Sequence, residues 1–414
     1  MNANLVRLTL FLGAAALPAV FQQSIPIRRL SPAEATSAIP VLTRASAREL
    51  SDGRVMVNEM ISFQSRVLLF DPGLATATTI VDSTTLTSGT SRSFVFSVVP
   101  YFADSALLAD PNGNTLLVLD PSGKITHVLT LPKAREVTSV TAAVTGGPGI
   151  DQHGRLIYRG TYPKPPAPTV PGAPNVLGQA DTFPLVRADF DARTTDTIAT
   201  VRIESGQSYS IAVSPENKVI RKVIRQPLPT TDEWAVLNDG SVAIVRGHDY
   251  HVDWVVPDGK RVSTPKMAFD WRRVTDEERQ RILDSLLAID AKSRARSDSI
   301  ARARGEKPQP PSTITEYVPL KEFPDYYPPI RPGSVAGDPS GNVWILPTTS
   351  SAARGGLLYD VVNRKGEVFE RVQLPSGCAL AGFGANGGVY LTCTEKVAGD
   401  TASVTRVKRM RVIR

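Results

Sequence analysis

Residues 105–123 read Ser105-Ala-Leu-Leu-Ala-Asp-Pro-Asn-Gly-Asn-Thr-Leu-Leu-Val-Leu-Asp-Pro-Ser-Gly123. Two short apolar runs, each ending in Asp, alternate here with the turn sequences Pro-Asn-Gly and Pro-Ser-Gly. Apolar runs of this length between turn residues are typical of β-strands. Glycine adopts the positive φ of a tight turn without steric cost. The stretch therefore predicts a small antiparallel sheet, which a third strand over residues 125–131 continues.

The same unit recurs along the chain. Each copy has a polar turn, an apolar strand, a connection, a second apolar strand ending in or near Asp, a second turn and a third strand. The intervals between copies are 52, 49, 86, 101 and 46 residues, and three of them match the roughly 40–50 residues of a four-stranded propeller blade. The copies begin at Gly53, Ser105, Gly154, Gly240, Gly341 and Gly387.

Two insertions account for the long intervals. The first is a Pro-rich loop, residues 162–183, and the second is a charged helical insertion, residues 275–313. We predict an all-β fold, a six-bladed β-propeller with one inserted α-helix, over residues 24–414. Each small sheet exposes two faces and is stable only between neighbours, and Ser24–Leu30 is expected to close the ring by pairing with the last copy. The alternatives are two packed sheets or two all-β domains.

Three stretches carry a resemblance to known proteins. Residues 105–123 are similar to repeats of the six-bladed propellers of the NHL and TolB-like group. Residues 47–57 and 323–330 resemble stretches of exported bacterial six-bladed propellers of unassigned function. The resemblance covers roughly residues 26–414 and implies the fold. The wider family includes binding scaffolds, lyases and metal-dependent hydrolases, so the resemblance implies no single activity, and no catalytic motif carries over.

Residues 1–22 predict a signal peptide or an anchor. Arg7 is followed by the apolar run Leu8–Phe21 and then by polar residues, which is the layout of a secretory signal. The run is short for a membrane span, which needs about 20 residues, and no other stretch of the sequence is a candidate for one. We therefore expect an exported protein, in the periplasm or outside the cell. The alternative is an N-terminal core helix.

The two cysteines predict a disulfide. Cys378 and Cys393 flank the turn-rich stretch Gly382–Gly388, and they lie nearly opposite each other if the turn centres near Asn386. Opposite residues of paired strands have Cβ atoms about 4.5–5.5 Å apart, near the separation that a disulfide needs. Two buried free thiols or a redox pair are the alternatives, although redox pairs are usually closer in sequence.

The glycines of this stretch also match a phosphate-binding pattern. Residues 382–387 fit G-x-G-x-x-G, but the following residues, Val389–Cys393, suit a strand rather than the helix that a phosphate cradle requires. A hairpin is therefore the favoured interpretation.

The inserted segment predicts a long helix. Thr275-Asp-Glu-Glu278 is a capping box, good helix formers continue to Arg304, and Gly305 suits the stop. The apolar residues of the first half, chiefly Ile282, Leu286 and Ile289, are expected to pack on the propeller. The helix is either a lid or docking arm, or a solvated cover on one face.

Composition and motifs indicate a binding protein more than an enzyme. The net charge of +7 is mild for 414 residues, so we expect no nucleic-acid partner. Four histidines are few for a metal cluster, and His248 and His251 are hydrogen-bonded turn residues in the favoured interpretation. We predict no catalytic residue, no metal site and no cofactor. The basic stretch Arg406–Arg414 suits a strand with exposed charges.

We expect a scaffold that binds a protein, peptide or glycan. Trp271, Tyr326 and Tyr327, in the inserted regions, are the first candidates for contact with a ligand. The alternative is a metal-dependent hydrolase or lyase with its site in the central channel. Such an enzyme would gather Asp, Glu, Asn or His at one channel mouth, whereas a scaffold would have an uncharged or filled channel.

Overall fold

The computed structural model describes most of the chain. The predicted signal peptide lies outside the described residues, and so does the Pro-rich loop except for Thr182 and Phe183, which begin a strand. Within the described part, no helix is long and apolar enough to cross a membrane. The described residues are 25–42, 45–61, 64–82, 98–110, 113–141, 146–161, 182–204, 208–213, 219–308, 311, 313–396 and 403–414.

Short strands dominate these ranges. The first fourteen are β1 Ile27–Leu30, β2 Ala35–Thr36, β3 Ala45–Glu49, β4 Val55–Ile61, β5 Gln64–Phe70, β6 Ala77–Asp82, β7 Val98–Pro100, β8 Ala106–Asp110, β9 Thr115–Leu119, β10 Ile125–Leu129, β11 Gly149–Ile150, β12 Leu156–Arg159, β13 Thr182–Asp189 and β14 Thr194–Arg202. The next fourteen are β15 Ser208–Val213, β16 Val219–Arg225, β17 Glu233–Val236, β18 Val242–Arg246, β19 His251–Val255, β20 Arg261–Ser263, β21 Thr313–Tyr317, β22 Val335–Gly337, β23 Val343–Ile345, β24 Leu358–Val362, β25 Val368–Gln373, β26 Cys378–Phe383, β27 Gly388–Lys396 and β28 Ser403–Ile413.

Helices are fewer than strands. The α-helices are α1 Val137–Thr141, which the sequence analysis did not predict, and α2 Asp276–Ala303. Short 3₁₀ turns span Phe102–Asp104, Ala134–Glu136, Leu320–Glu322, Thr348–Ala352 and Ala385–Gly387.

The sheets form a propeller-like arrangement. Four are four-stranded and antiparallel: β3–β6, β7–β10, β11–β14 and β17–β20. A nine-stranded sheet contains two antiparallel meanders, β22–β25 and β26–β28, which β1 joins. The first strands of the units lie side by side, with β26 against β3, β7 against β11, β11 against β17, and β17 against β22. The all-β expectation is met apart from the helices, whereas the sequence analysis expected six separate sheets.

A tight turn connects the first two strands of each unit, as predicted, and it contains a glycine in every unit except the second, where residues 101–105 form it. Gly53, Gly240 and Gly341 have φ of 84°, 78° and 83°. The Gly53 amide donates to the carbonyl of Leu50 at 2.9 Å, and Gly240 and Gly341 make the equivalent bond. The strands after the turns were predicted from the sequence, but the strands before them, apart from β26, were not, because several of these first strands are only two or three residues long.

Neighbouring sheets bury each other's faces. Leu107 and Leu116 of the second sheet pack with Leu156 and Tyr158 of the third in one cluster. Val57 of the first sheet packs with Tyr390 and Val407 of the nine-stranded sheet in another. A two-sided sheet of this size therefore depends on both neighbours for its core.

The strand β1 closes the arrangement. Leu30 lies opposite Val412 in an antiparallel pair with β28, which is the predicted pairing of Ser24–Leu30 with the last copy. The same strand also pairs in parallel with β25, which merges the two meanders into one sheet and was not expected. The buried carboxylate of Glu370 in β25 binds Arg28 at 3.4 Å and Arg414 at 3.1 Å.

The predicted disulfide is confirmed. Cys378 lies directly opposite Cys393 in the β26–β27 pair, with Cα atoms 4.0 Å apart. The turn Ala385–Gly387 between these strands is followed by β27 and not by a helix. Residues 382–387 therefore form a hairpin, and the phosphate-cradle alternative is excluded.

The helix α2 begins at the predicted capping box. Glu278 N–H donates to the Thr275 hydroxyl at 3.3 Å, and the Glu278 carboxylate accepts from the Thr275 amide at 3.0 Å. The expected packing of its first half is only partial, because Ile289 is 62% exposed and no residue of the helix is fully buried. Polar contacts hold it instead, including Tyr317 hydroxyl to Asp290 at 2.8 Å. The helix ends at Ala303, and Thr313, the last residue of the predicted insertion, begins β21.

A three-stranded sheet lies beside this helix. The hairpin β15–β16, which the sequence analysis did not predict, pairs in parallel with β21. Two insertions that are distant in sequence therefore form one structure, which positions the segment that follows α2.

Removing the disulfide is expected to destabilise the protein. Two residues separated by 15 in sequence are cross-linked, and a loop of that size corresponds to about 3 kcal/mol in the free energy of unfolding. We predict that Cys378→Ser combined with Cys393→Ser lowers this free energy by about 2–4 kcal/mol in urea unfolding. Equal stability of the double variant and the oxidised wild type would contradict the prediction.

The Glu370 contacts are expected to contribute less. Glu370→Ala leaves two partly exposed guanidinium groups that can rehydrate, so we predict a loss of about 1–2 kcal/mol rather than the larger cost of a fully buried pair. Exposed Glu306 serves as the control, and Glu306→Ala should leave urea unfolding unchanged. The idea fails if the two variants unfold at the same urea concentration.

Candidate functional site

A cavity of about 750 Å³ lies where the first strands of the units converge. Its volume falls within the range of ligand-binding pockets. Small residues and prolines form most of the wall, together with a few larger side chains. The lining residues are Ala47, Arg48, Glu49, Pro100, Pro148, Asn238, Gly333–Gly337, Pro339, Tyr359 and Leu380–Ala385.

Glycines let two of these strands approach closely. A Cβ added to Gly382 of β26 would overlap the carbonyl oxygen of Ala47 in β3, and one added to Gly384 would overlap the Glu49 carboxylate. Backbone oxygen cannot move aside as a flexible side chain can. Glycine at position 382 is therefore required for β26 to lie against β3 and complete the wall.

The charged residues of the wall, Arg48 and Glu49, link β3 to sheets on both sides. The Glu49 carboxylate accepts a 2.7 Å hydrogen bond from the Tyr390 hydroxyl. The Arg48 guanidinium donates to the carbonyls of Ser105 at 2.6 Å and Tyr101 at 3.3 Å. Burial lowers the pKa of Arg48, and burial together with the Glu49 bond raises that of Tyr390. Arg48 and Glu49 therefore hold neighbouring sheets together and also line the cavity.

A buried acid lies beside the cavity wall at the start of β17. Glu233 is 0% exposed, and one oxygen accepts the Gly146 amide at 2.9 Å. The Gly333 amide, on the cavity wall, and the Arg159 charge also favour the carboxylate. Burial outweighs these contacts and raises the pKa of Glu233 to about 8. The group is therefore mostly protonated at neutral pH.

Other buried acids serve to hold strand ends. Glu59 accepts two hydrogen bonds from Arg66 at 3.0 Å, and Glu136 accepts one from the Tyr158 hydroxyl at 2.6 Å. Asp360 accepts from Arg371 at 2.7 Å. Each of these three carboxylates has a partner on a neighbouring element, which makes it a structural group.

The histidine pair does not form a cluster of ligands. His248 is exposed, and His251 lies 3.2 Å from the Asp253 carboxylate. Across the described residues, no group of three or more His, Cys, Asp or Glu could hold a metal ion.

The structure pairs the segment that carries Trp271 with the segment that carries Tyr326 and Tyr327, and we call these three residues the aromatic cluster. A β-bridge pairs Arg273 with Tyr326, and the Arg272 guanidinium lies 4.5 Å from the centre of the Tyr327 ring. Trp271 and Tyr326 are 43% and 47% exposed. None of the three residues lines the central cavity, so the predicted residues and the central cavity are two different candidate sites.

A smaller pocket of about 320 Å³ adjoins the aromatic cluster at Tyr327. Its wall is rich in proline, which holds the backbone rigid. The lining residues are Pro227, Leu228, Pro229, Tyr327, Pro328, Ile330, Arg331, Pro332 and Thr348.

The basic C-terminal stretch is engaged within the fold. Arg411 binds Glu34 at 2.6 Å, and Arg406 donates to the carbonyl of Ser37 at 2.7 Å. These contacts join β28 to the N-terminal segment that contains Glu34 and Ser37. They agree with the interpretation of the stretch as a strand.

No family model and no curated protein matches the chain. Solved structures that resemble it include streptogramin B lyase (11% identity, TM-score 0.38, covering 91% of this chain and 96% of that one). A luciferin-regenerating enzyme (11%, 0.37, 90% and 92%) and a calcium-binding regucalcin of Agrobacterium tumefaciens (10%, 0.33, 93% and 96%) are also similar. At these values the likeness assigns no activity, ligand or site.

Ionisation of Glu233 is expected to make stability depend on pH. The folded state keeps a proton that the unfolded state, with a pKa near 4.5, releases, so stability falls as the pH rises from about 4.5 to about 8. The slope is at most about 1.4 kcal/mol per pH unit. Glu233→Gln resembles the protonated form and should remove this slope, so the stability of the variant relative to the wild type rises with pH.

Urea unfolding at pH 5, 6.5 and 8 measures the effect. The control is Glu306→Gln, at an exposed site, which should change the free energy of unfolding by the same amount at all three pH values. A constant difference between Glu233→Gln and the wild type from pH 5 to pH 8 would show that Glu233 is ionised in the folded protein.

Proposed function

We propose that the protein is an exported six-bladed β-propeller that acts as a binding scaffold for a protein, peptide or glycan. The four four-stranded sheets count as four blades, and the meanders β22–β25 and β26–β28 count as the fifth and sixth, with β1 as the outer strand of the sixth. The disulfide between Cys378 and Cys393 is compatible with an oxidising compartment outside the cytoplasm.

The observation that carries this proposal is the fixed, exposed aromatic cluster. Trp271 stacks edge-on against Phe269 at 5.2 Å, and Tyr326 is held by its bridge to Arg273. Rigid aromatic side chains give large contact areas at a small cost in conformational entropy, which is why Trp and Tyr are enriched at recognition surfaces. The loops that carry them are held by packed sheets, an arrangement suited to recognition.

The central cavity bears on the choice between scaffold and enzyme. Its wall is mainly small residues and prolines, and the Glu49 carboxylate is occupied by the Tyr390 hydroxyl. A hydrolase or lyase with a metal in the channel would instead place several free oxygen or imidazole ligands toward one point. The character of this wall supports the scaffold proposal.

A matched pair of variants tests the aromatic cluster. Wild-type protein is screened against a defined glycan array and a displayed random-peptide library, and each selected ligand is titrated. We expect Trp271→Ala with Tyr326→Ala to weaken binding of at least one ligand by tenfold or more, since exposed aromatic anchors dominate binding energy. The control, Ile125→Ala with Val128→Ala, removes exposed apolar groups from β10 and should change affinity less than twofold.

Two results would contradict the proposal. One is that no ligand is selected, or that every selected ligand binds the aromatic variant as tightly as the wild type. The other is purified protein that carries one divalent metal per chain and loses a hydrolytic or eliminating activity on chelation, which would establish the rival function.

A further inference from the structure

The backbone of β22 presents unused hydrogen-bonding groups to the central cavity. Residues of an antiparallel edge strand alternate between bonding to the neighbour and pointing away from it. Leu346 N–H donates to the backbone carbonyl of Ser334 at 2.8 Å, and Asp338 N–H donates to the backbone carbonyl of Asn342 at 2.9 Å. The bonds toward β23 are therefore made at positions 334, 336 and 338. It follows that Val335 and Gly337 direct their N–H and C=O groups away from β23, into the cavity that both residues line.

The same alternation places prolines on two other inner strands. Tyr101 N–H donates to the carbonyl of Ser105, and Asp151 N–H donates to the carbonyl of Arg155. Positions one or three residues before these bonded residues face away from the neighbouring strand. Pro100 of β7 and Pro148 before β11 therefore face the cavity. Proline has no N–H and cannot donate to an added strand, which is how natural sheets protect their edges. A proline therefore faces the cavity on β7 and before β11, and Pro339 does the same after β22, but Val335 and Gly337 within β22 keep their N–H groups.

The cavity beside β22 has two different flanks. Leu380, Ala381 and Phe383 of β26 are half-buried lining residues on one flank, and polar Asn238 lies on the other, after β17. Successive side chains of a strand point to opposite faces. A strand added to β22 would therefore direct alternate side chains toward the apolar flank and the intervening ones toward the polar flank.

We propose that the central cavity binds an extended peptide segment of a partner protein, which pairs as an added strand with the open edge of β22. The segment carries apolar side chains at every second position. Main-chain bonds to Val335 and Gly337 supply the alignment, and the β26 flank selects the side chains. This site goes beyond the proposed function, because it neither includes the aromatic cluster nor depends on it.

The first test removes one cavity-facing donor. A random octapeptide library is panned against the wild-type protein, and selected peptides are synthesised and titrated by calorimetry. We expect Val335→Pro to weaken binding at least tenfold. The fold should tolerate this proline, because the 335 amide makes no bond to β23. Val335→Ala keeps the amide and changes affinity less than threefold, and Trp271→Ala with Tyr326→Ala leaves it unchanged.

The second test modifies the peptide, so it stands even if Val335→Pro fails to fold. Each amide of a selected peptide is N-methylated in turn and the affinity is measured. Pairing with β22 predicts losses of tenfold or more at every second position and less than threefold at those between. The proposal is overturned if no peptide is selected, if methylation of every selected peptide acts without this alternation, or if every selected peptide depends on the aromatic cluster and none on the 335 amide.

Discussion

Pairing of β1 with both β28 and β25 is the constraint on which the rest of the structure depends. Each small sheet has two apolar faces, and it buries both only when sheets stand on either side of it. The β1 pairing holds the first and last parts of the ring together, and the Glu370 contacts to Arg28 and Arg414 reinforce it. Only in this closed arrangement does β26 lie against β3, so the cavity exists because the ring is closed.

Closure of the ring also limits what can pair with an unpaired strand edge. An open edge on the outside of a sheet invites pairing with other chains and is usually shortened or blocked. The inner edges of this fold lie around a cavity, where another folded copy cannot reach them but a slim segment can. Pro100 and Pro148 block two of these edges, and Gly382 lets two others pack closely. Val335 and Gly337 of β22 keep their N–H groups at the cavity, unlike Pro100 and Pro148.

The sequence predicted the features that depend on local chemistry. The positive φ of Gly53 and Gly240, the capping box at Thr275 and the Cys378–Cys393 pairing each follow from a few adjacent residues or one hairpin. The β16–β21 pair and the parallel β1–β25 pair depend on partners far away in sequence, and several first strands are too short to show a pattern. The sequence indicated Trp271, Tyr326 and Tyr327 as candidates but not the contact of Arg272 with Tyr327. The cavity wall was missed because it consists largely of those first strands.

The environment of Glu233 shows why sequence patterns stop short of the site. The sequence did not indicate Glu233 as a candidate residue. In the fold, Glu233 accepts an amide from Gly146 of the third unit and lies beside Gly333 of the fifth. Three parts of the chain thus exclude water from one carboxyl group. The group keeps its proton because an ionised carboxylate would lack the water that stabilises its charge. Departures of this kind from the rules of burial are common near functional sites, and this one adjoins the segment that presents the open edge of β22.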